Sequence, residues 1–180
     1  MQRKIVLIGG PGTGKSTVLK ALEERGFHCM PEVSREVTLE AQKKGIEQLF
    51  LTEPLLFSKM LLEGRERQYH EAEKLNADWV FFDRGLPDVY AYMDYSNDEY
   101  PGYFKEKSEQ LLYDHAFLFK PWKEIYISDN ERYESFEESQ AIDGFLQKAY
   151  RDLGYSIVDV PFGSVEQRVD FIVNWLKTNT

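Results

Sequence analysis

The chain has 180 residues, 42% of them hydrophobic and 29% charged, an ordinary balance for one globular domain with a sizeable core. A net charge of −9, with acidic residues spread along the chain, argues against non-specific binding to nucleic acid or to an anionic membrane. A single cysteine, Cys29, excludes an internal disulfide, and no apolar run approaches the roughly 18 residues that span a bilayer.

Residues 5–8, Ile-Val-Leu-Ile, read as a parallel strand buried on both faces. They run directly into G-G-P-G-T-G-K-S at residues 9–16, a full match to the phosphate-loop pattern G-x-x-x-x-G-K-[ST]. Val18, Leu19 and Leu22 then recur at helical spacing until Gly26 supplies a stop. The residue types follow from the chemistry. Glycines let the backbone turn tightly so that successive N–H groups point at phosphate oxygens, and the following helix adds its N-terminal partial positive charge. Gly10, Pro11, Gly12, Thr13, Gly14, Lys15, Ser16 and Thr17 are thus the candidate nucleotide contacts. Lys15 would reach the β- and γ-phosphates, and the Ser16 hydroxyl would ligate Mg²⁺. The first strand begins almost at once, which leaves no room for a signal peptide, so a cytoplasmic protein is expected.

Residues 27–30 form a brief second strand that ends at Pro31-Glu32, and Cys29 within it reads as a small buried hydrophobe. Residues 34–50 suit a helix broken near Gly45. Thr52 can cap a long helix, with Pro54 in its first turn, that runs to about residue 76. Residues 79–82 give a third strand ending in Asp83-Arg84-Gly85, and residues 86–103 a short helix and an ordered loop. A helix over 104–113 leads to a fourth strand at 116–119, with 124–127 as a candidate continuation. Ser135 with Glu138, and Ser164 with Gln167, are capping boxes. The first opens a helix with Ile142, Phe145, Leu146, Ala149 and Leu153 on one face. The second opens a helix lined by Val169, Ile172, Val173 and Leu176. Between them, residues 156–160 form the fifth strand. Strands alternating with helices predict one α/β domain over 1–180, a three-layer parallel sheet with helices on both faces and ligands at the carboxyl ends of the strands.

Three strand ends then deliver charge to one edge. Asp83, directly after four apolar residues, is a candidate Mg²⁺ carboxylate. Arg84 suits either a phosphate or acceptor group or a salt bridge to Glu32 or Asp88. Glu32, with Arg35, lies where a carboxylate orients or deprotonates an attacking hydroxyl, or caps the helix that begins near Ser34. Asp88, Tyr90 and Tyr92 are candidates to line an acceptor pocket, or simply pack. Arg132, in the loop before the capped helix, would close over the γ-phosphate as a lid, or stay solvated. His28, His70 and His115 show no metal-ligand spacing.

The phosphate loop, P-E-V-S-R-E at 31–36, F-D-R-G-L-P-D at 82–88 and L-G-Y-x-I-V-D-V-P at 153–161 occur in this order over nearly the whole chain. Together they resemble a family of small P-loop ATPases and kinases with an AAA-type ATP-binding domain. That family is related to the nicotinamide-riboside kinase domain of bacterial NAD regulators and to the insect TRPL-translocation-defect protein. The resemblance implies a P-loop NTPase fold with the kinase-type strand order 2-3-1-4-5, and Mg²⁺ with ATP or GTP. It also implies that the loop after Val160-Pro161 lies near the nucleotide base.

The leading expectation is a Mg²⁺-dependent phosphotransferase acting on a small hydroxyl-bearing, nucleoside-like acceptor, with Lys15, Asp83, Glu32 and Arg132 as the catalytic set and Glu32, Arg35, Arg84 and Asp88 facing the acceptor. Either Glu32 or Asp83 would position the acceptor hydroxyl. A regulatory NTPase that switches a protein partner is the alternative, and a pure binding module is the third. No N-K-x-D guanine-reading motif is present. Arg84 stands where, by resemblance, motor-type ATPases place a second acidic residue.

Overall fold

The apolar run at the start of the chain becomes the middle of the sheet. In a computed structural model, which describes residues 2–46, 48–126 and 135–179, β1 (Arg3–Ile8) pairs in parallel with β3 (Trp79–Asp83) on one side and β4 (His115–Leu118) on the other. The edges are β2 (His28–Met30), beside β3, and β5 (Ile157–Asp159), beside β4. The strand order is β2-β3-β1-β4-β5 and every pairing is parallel, as the resemblance implies.

Because successive side chains of a strand point to opposite faces, β1 serves two cores. Ile5 and Leu7, with Phe81 and Phe117, pack under α1 (Lys15–Glu24) and α8 (Val165–Asn179). Val6 and Ile8, with Val80, Phe82, Ala116 and Leu118, face the other layer. That layer is made by α4 (Pro54–Ala72), α5 (Leu86–Ser96), α6 (Tyr103–Gln110) and α7 (Phe136–Asp152). Between β2 and α4, α2 (Ser34–Lys43) and the single turn α3 (Leu49–Thr52) close a small third core with Val33, Val37, Ala41 and Leu49. No described helix is long and apolar enough to cross a membrane.

Both capping boxes form. Ser135 Oγ accepts from Glu138 N at 3.1 Å while Ser135 N donates to Glu138 Oε2 at 2.6 Å, and Ser164 and Gln167 repeat the exchange. Gly45, at φ +84°, ends the polar helix α2 as expected.

Four local expectations are corrected. Thr52 does not cap α4, because its hydroxyl donates backward to Gln48 O at 3.1 Å as the last residue of α3; Glu53 holds the N-cap position. The helix ends at Ala72 rather than near 76, in tight turns from Leu75 N to Ala72 O and Lys74 N to Glu71 O. Residues 124–126 turn back on Trp122 instead of extending β4, and residue 127 lies outside the described residues. Cys29 is only half-buried, since β2 is an edge strand, although burial and then the Glu23 charge still push its thiol up to about 12, which keeps it protonated.

One close approach positions the site. A Cβ placed on Gly64 would lie 2.4 Å from Val33 Cγ1, so α4 presses its bare backbone against the residue after Glu32. Alanine normally stabilises a helix interior over glycine by about 1 kcal/mol. Gly144 of α7 has nothing within 4 Å of its missing Cβ, so Gly144→Ala should raise the melting temperature. Gly64→Ala should lower it, through about 1–3 kcal/mol of overpacking, and Val33→Ala in the same chain should restore part of the loss. Thermal unfolding of the three variants decides the point; equal gains from both alanines would show that α4 does not press on Val33.

Candidate functional site

The phosphate loop is held from three sides. Its glycines take the conformations that a side chain resists, with φ +145° at Gly9, +73° at Gly12 and +86° at Gly14. A Cβ on Gly9 would meet Phe119 O at 2.4 Å, and one on Gly10 would meet Ser139 Oγ at 2.8 Å, so the sheet and α7 wall the loop closely. Thr13 Oγ1 donates to Gly10 O at 3.0 Å inside the turn. Gly14 begins α1 with no side-chain cap and no acidic residue in the first turn, which leaves that turn's amides for an anion.

Lys15 is folded back into this loop. Its Nζ donates to Gly10 O at 2.8 Å and lies 3.3 Å from Thr13 Oγ1. Burial, then the neighbouring Arg84 charge, lowers its pKa to about 8, while Asp83, Glu32 and Asp88 pull the other way. Ser16 and Thr17 follow, both exposed on the first turn of α1.

The β1–β3 register sets Asp83 opposite Leu7, directly beside the loop. Ser16 Oγ donates to Asp83 Oδ2 at 2.8 Å across 67 residues of sequence. Asp83 is 2% exposed, and its Oδ1 is buried without a partner. A hydroxyl, a carboxylate and a spare carboxylate oxygen beside a phosphate loop suit a hard cation such as Mg²⁺, which takes its remaining ligands from phosphate and water. No group of three His, Cys, Asp or Glu able to hold a metal occurs among the described residues. The three histidines stay apart: His70 Nδ1 meets Glu73 at 3.0 Å, His115 packs edge-on against Trp175, and His28 is exposed.

Glu32, at the end of β2, is gripped by two guanidinium groups. Its Oε1 accepts from Arg65 Nη2 at 3.2 Å and from Ser34 N at 3.3 Å, and its Oε2 pairs with Arg84 Nε. Burial works against its charge, but Arg84, Arg65 and the Ser34 amide together hold its pKa below the ordinary glutamate value. Of the two expectations for each residue, the structural one is present: Glu32 accepts from the first amide of α2, and Arg84 makes its ion pair to Glu32. Arg84 also donates from Nη1 to Tyr92 Oη at 2.8 Å. Its backbone sits at φ +70°, a left-handed conformation that costs a non-glycine residue roughly 1–2 kcal/mol. Its amide donates to Leu7 O at 3.0 Å, which fixes that conformation against β1.

The other expected residues divide. Asp88 is 1% exposed; its Oδ2 accepts from Gly85 N at 2.9 Å and Tyr150 Oη at 2.6 Å, tying α5 to α7 behind the strand ends. Tyr90 is in the core, donating to Ala149 O at 3.1 Å, while Tyr92 meets Arg84. Arg35 is exposed in the first turn of α2. Arg132 lies outside the described residues.

Two arginines escaped the sequence reading. Arg65 donates to Gly85 O at 2.8 Å as well as to Glu32. Arg168, on α8, donates from Nη2 to Thr13 O at 2.9 Å. A signal for both was present in the pattern. Arg65 continues the buried stripe Leu62, Tyr69, Ala72 of α4, and Arg168 the stripe Ile172, Leu176 of α8. A charge at a core position of an amphipathic helix needs a polar partner.

Solved structures share this architecture. Deoxyadenosine kinase from M. mycoides, with the products dCMP and a flexible dCDP bound, superposes with a TM-score of 0.74 at 19% identity, over 97% of this chain and 99% of that one. Thymidylate kinase from Candida albicans gives 0.72 at 16% identity, over 99% and 92%. Shikimate kinase from Acinetobacter baumannii, in complex with shikimate, gives 0.64 at 16% identity, over 100% and 96%. No curated protein matches the sequence. A family model described as an AAA domain matches residues 4–168. The phosphate loop, the Asp83 strand beside it and this match over most of the chain place the protein in the AAA-domain family, in its P-loop, kinase-type strand order.

Proposed function

We propose that this protein is a Mg²⁺-dependent phosphotransferase that moves the γ-phosphoryl group of ATP or GTP to a small hydroxyl-bearing, nucleoside-like acceptor. The observation that carries this reading is the half-buried carboxylate of Glu32, held at the end of β2 by Arg84 and Arg65, which favour its ionised form. Kinases of nucleosides, nucleotides and shikimate that share the fold support the same class.

In this mechanism Gly10 to Thr17 and the first turn of α1 bind the phosphates, and Lys15 neutralises charge on the γ-phosphoryl oxygens. Ser16 and Asp83 would hold Mg²⁺, which adds charge neutralisation across the phosphates. With Asp83 given to Mg²⁺, Glu32 is the carboxylate left for the acceptor hydroxyl, and we assign it as the base, its Arg65 and Arg84 contacts holding it in place. Glu32 takes the proton of the acceptor hydroxyl as the oxygen–γ-phosphorus bond forms, and the bond from γ-phosphorus to the bridging oxygen breaks to release the nucleoside diphosphate. Arg84 orients Glu32, Arg35 completes the acceptor side, and Asp88 supports it from behind through Gly85 and Tyr150. Phe162, 53% exposed in the loop after β5 and stacked on Trp122 at 4.9 Å, offers a platform for the nucleotide base.

The decisive experiment is turnover of ATP and GTP with Mg²⁺, alone and with a panel of nucleosides, nucleoside monophosphates and hydroxy acids. A phosphorylated nucleoside is the expected product; slow hydrolysis indifferent to every acceptor would replace the kinase by a regulatory NTPase. Lys15→Ala should abolish turnover while the circular dichroism spectrum is unchanged. Glu32→Gln should cut acceptor phosphorylation by about a hundredfold or more, the usual scale for a general base, with much less effect on nucleotide affinity. An equal loss of both would make Glu32 a structural residue.

Lys15 also predicts a pH dependence. With a pKa of about 8 in the free protein, it is largely neutral above that pH. Bound phosphates raise it, so binding takes up a proton and nucleotide affinity falls as pH rises above 8, by at most about tenfold per unit. Titration calorimetry at pH 7, 8 and 9 in buffers of different ionisation enthalpy measures that proton. Lys15→Arg should flatten the dependence, and a flat wild-type profile would contradict the assignment.

A further inference from the structure

Among the described residues, Arg168 is a buried cation without a counterion. It is 3% exposed, and none of the ion pairs among the described residues includes it. Arg65, equally buried, has Glu32 as its partner. What Arg168 has instead is the Thr13 carbonyl at 2.9 Å, the Phe119 ring at 4.5 Å and the Trp122 ring at 5.9 Å, while its Nε is buried without any partner. Its Nη1 stands where a Cβ on Gly14 would come within 2.6 Å. The guanidinium therefore lies directly against the backbone of the phosphate loop.

A buried charge paired only with a carbonyl and two aromatic faces is under-compensated, since those contacts offset part of the desolvation cost and no more. An arginine does not escape by losing its proton. The missing negative charge has one natural source beside Thr13 and Gly14, the ligand of the loop itself. We propose that Arg168 is the positioning residue of the phosphate loop: it shapes the Thr13–Gly14 turn through the Thr13 carbonyl, and its unpaired charge is answered by the bound polyphosphate. This rests on the reading that the loop takes a nucleoside triphosphate. It adds that α8 and the Phe119–Trp122 wall, remote in sequence from the loop, set its affinity for phosphate.

The assignment separates the free protein from the complex. Replacing an uncompensated buried charge by an apolar side chain of similar length relieves the free protein, so Arg168→Met should melt within a few degrees of wild type or above it. The same substitution should weaken binding of ATP, and of inorganic tripolyphosphate, by about tenfold or more, on the scale of one charge-assisted contact. Arg168→Lys keeps the charge and should recover most of that loss. Melting curves of the free proteins and calorimetric titration with ATP and with tripolyphosphate give all three comparisons. An unfolded or strongly destabilised Arg168→Met would make the guanidinium a structural strut and overturn the proposal. So would wild-type affinity in Arg168→Met, or a loss confined to ATP, which would place Arg168 at the base. Wild-type protein that binds neither ligand would instead overturn the nucleotide reading itself, a failure visible before any variant is made.

Discussion

Two guanidinium groups converge on one carboxylate at the carboxyl ends of β2 and β3, and much of the site's arrangement answers to that convergence. Glu32, half-buried, is kept ionised by Arg84 and Arg65, which reach it from different elements, with help from the Ser34 amide. Removing one partner of such a group leaves uncompensated buried charge, commonly 3–5 kcal/mol in cost. The demand for both partners shapes the backbone around them. Gly64 lets α4 lie close enough to Val33 for Arg65 to arrive, and Arg84 reaches Glu32 from a left-handed backbone. These are departures from local preference that a purely structural chain would have little reason to keep.

Charge is distributed unequally between the two halves of the site. On the proposed acceptor side, Glu32 stands between its two arginines, and Asp88 is absorbed by hydrogen bonds from Gly85 and Tyr150. On the phosphate side, Lys15 and Arg168 both rest on backbone carbonyls of the loop, at Gly10 and Thr13. A carbonyl supplies a partial charge where a full one is wanted. That side is positive and incompletely answered in a protein whose net charge is −9. The local field thus opposes the global one, and an anion arriving at the loop is stabilised where the rest of the surface would repel it.

Much of this was legible in the chain. The phosphate loop, the five strands, their order by resemblance and both capping boxes depend on local patterns, and the structure reproduces them. The errors sit where a nearby competitor won. Thr52 looks like a cap from its position before Pro54, but an acceptor at Gln48 O, one turn back, takes its hydroxyl. Residues 124–126 have strand-like composition, yet the turn at Trp122 claims their amides. Arg65 and Arg168 were hidden for a different reason. Each falls on a helix stripe that reads as apolar, and the partner that justifies it lies 33 residues away for Arg65 and 155 for Arg168. Burial of a charge is a tertiary property, and a sequence read by local period shows only its anomaly.

Arg84 joins the two halves. Its amide is bonded to Leu7 of the strand that carries the phosphate loop, its side chain to Glu32 of the neighbouring strand end, and its own chain neighbour is Asp83. A right-handed or extended residue there would send the amide and the side chain in other directions. The left-handed conformation satisfies both demands at once, at a cost of roughly 1–2 kcal/mol. Glycine would remove that cost but could not supply the guanidinium, and asparagine, the other residue that tolerates the conformation, is too short to provide the planar fork. Arginine at a position whose backbone favours glycine is therefore explained by the ion pair to Glu32, which only its side chain can make.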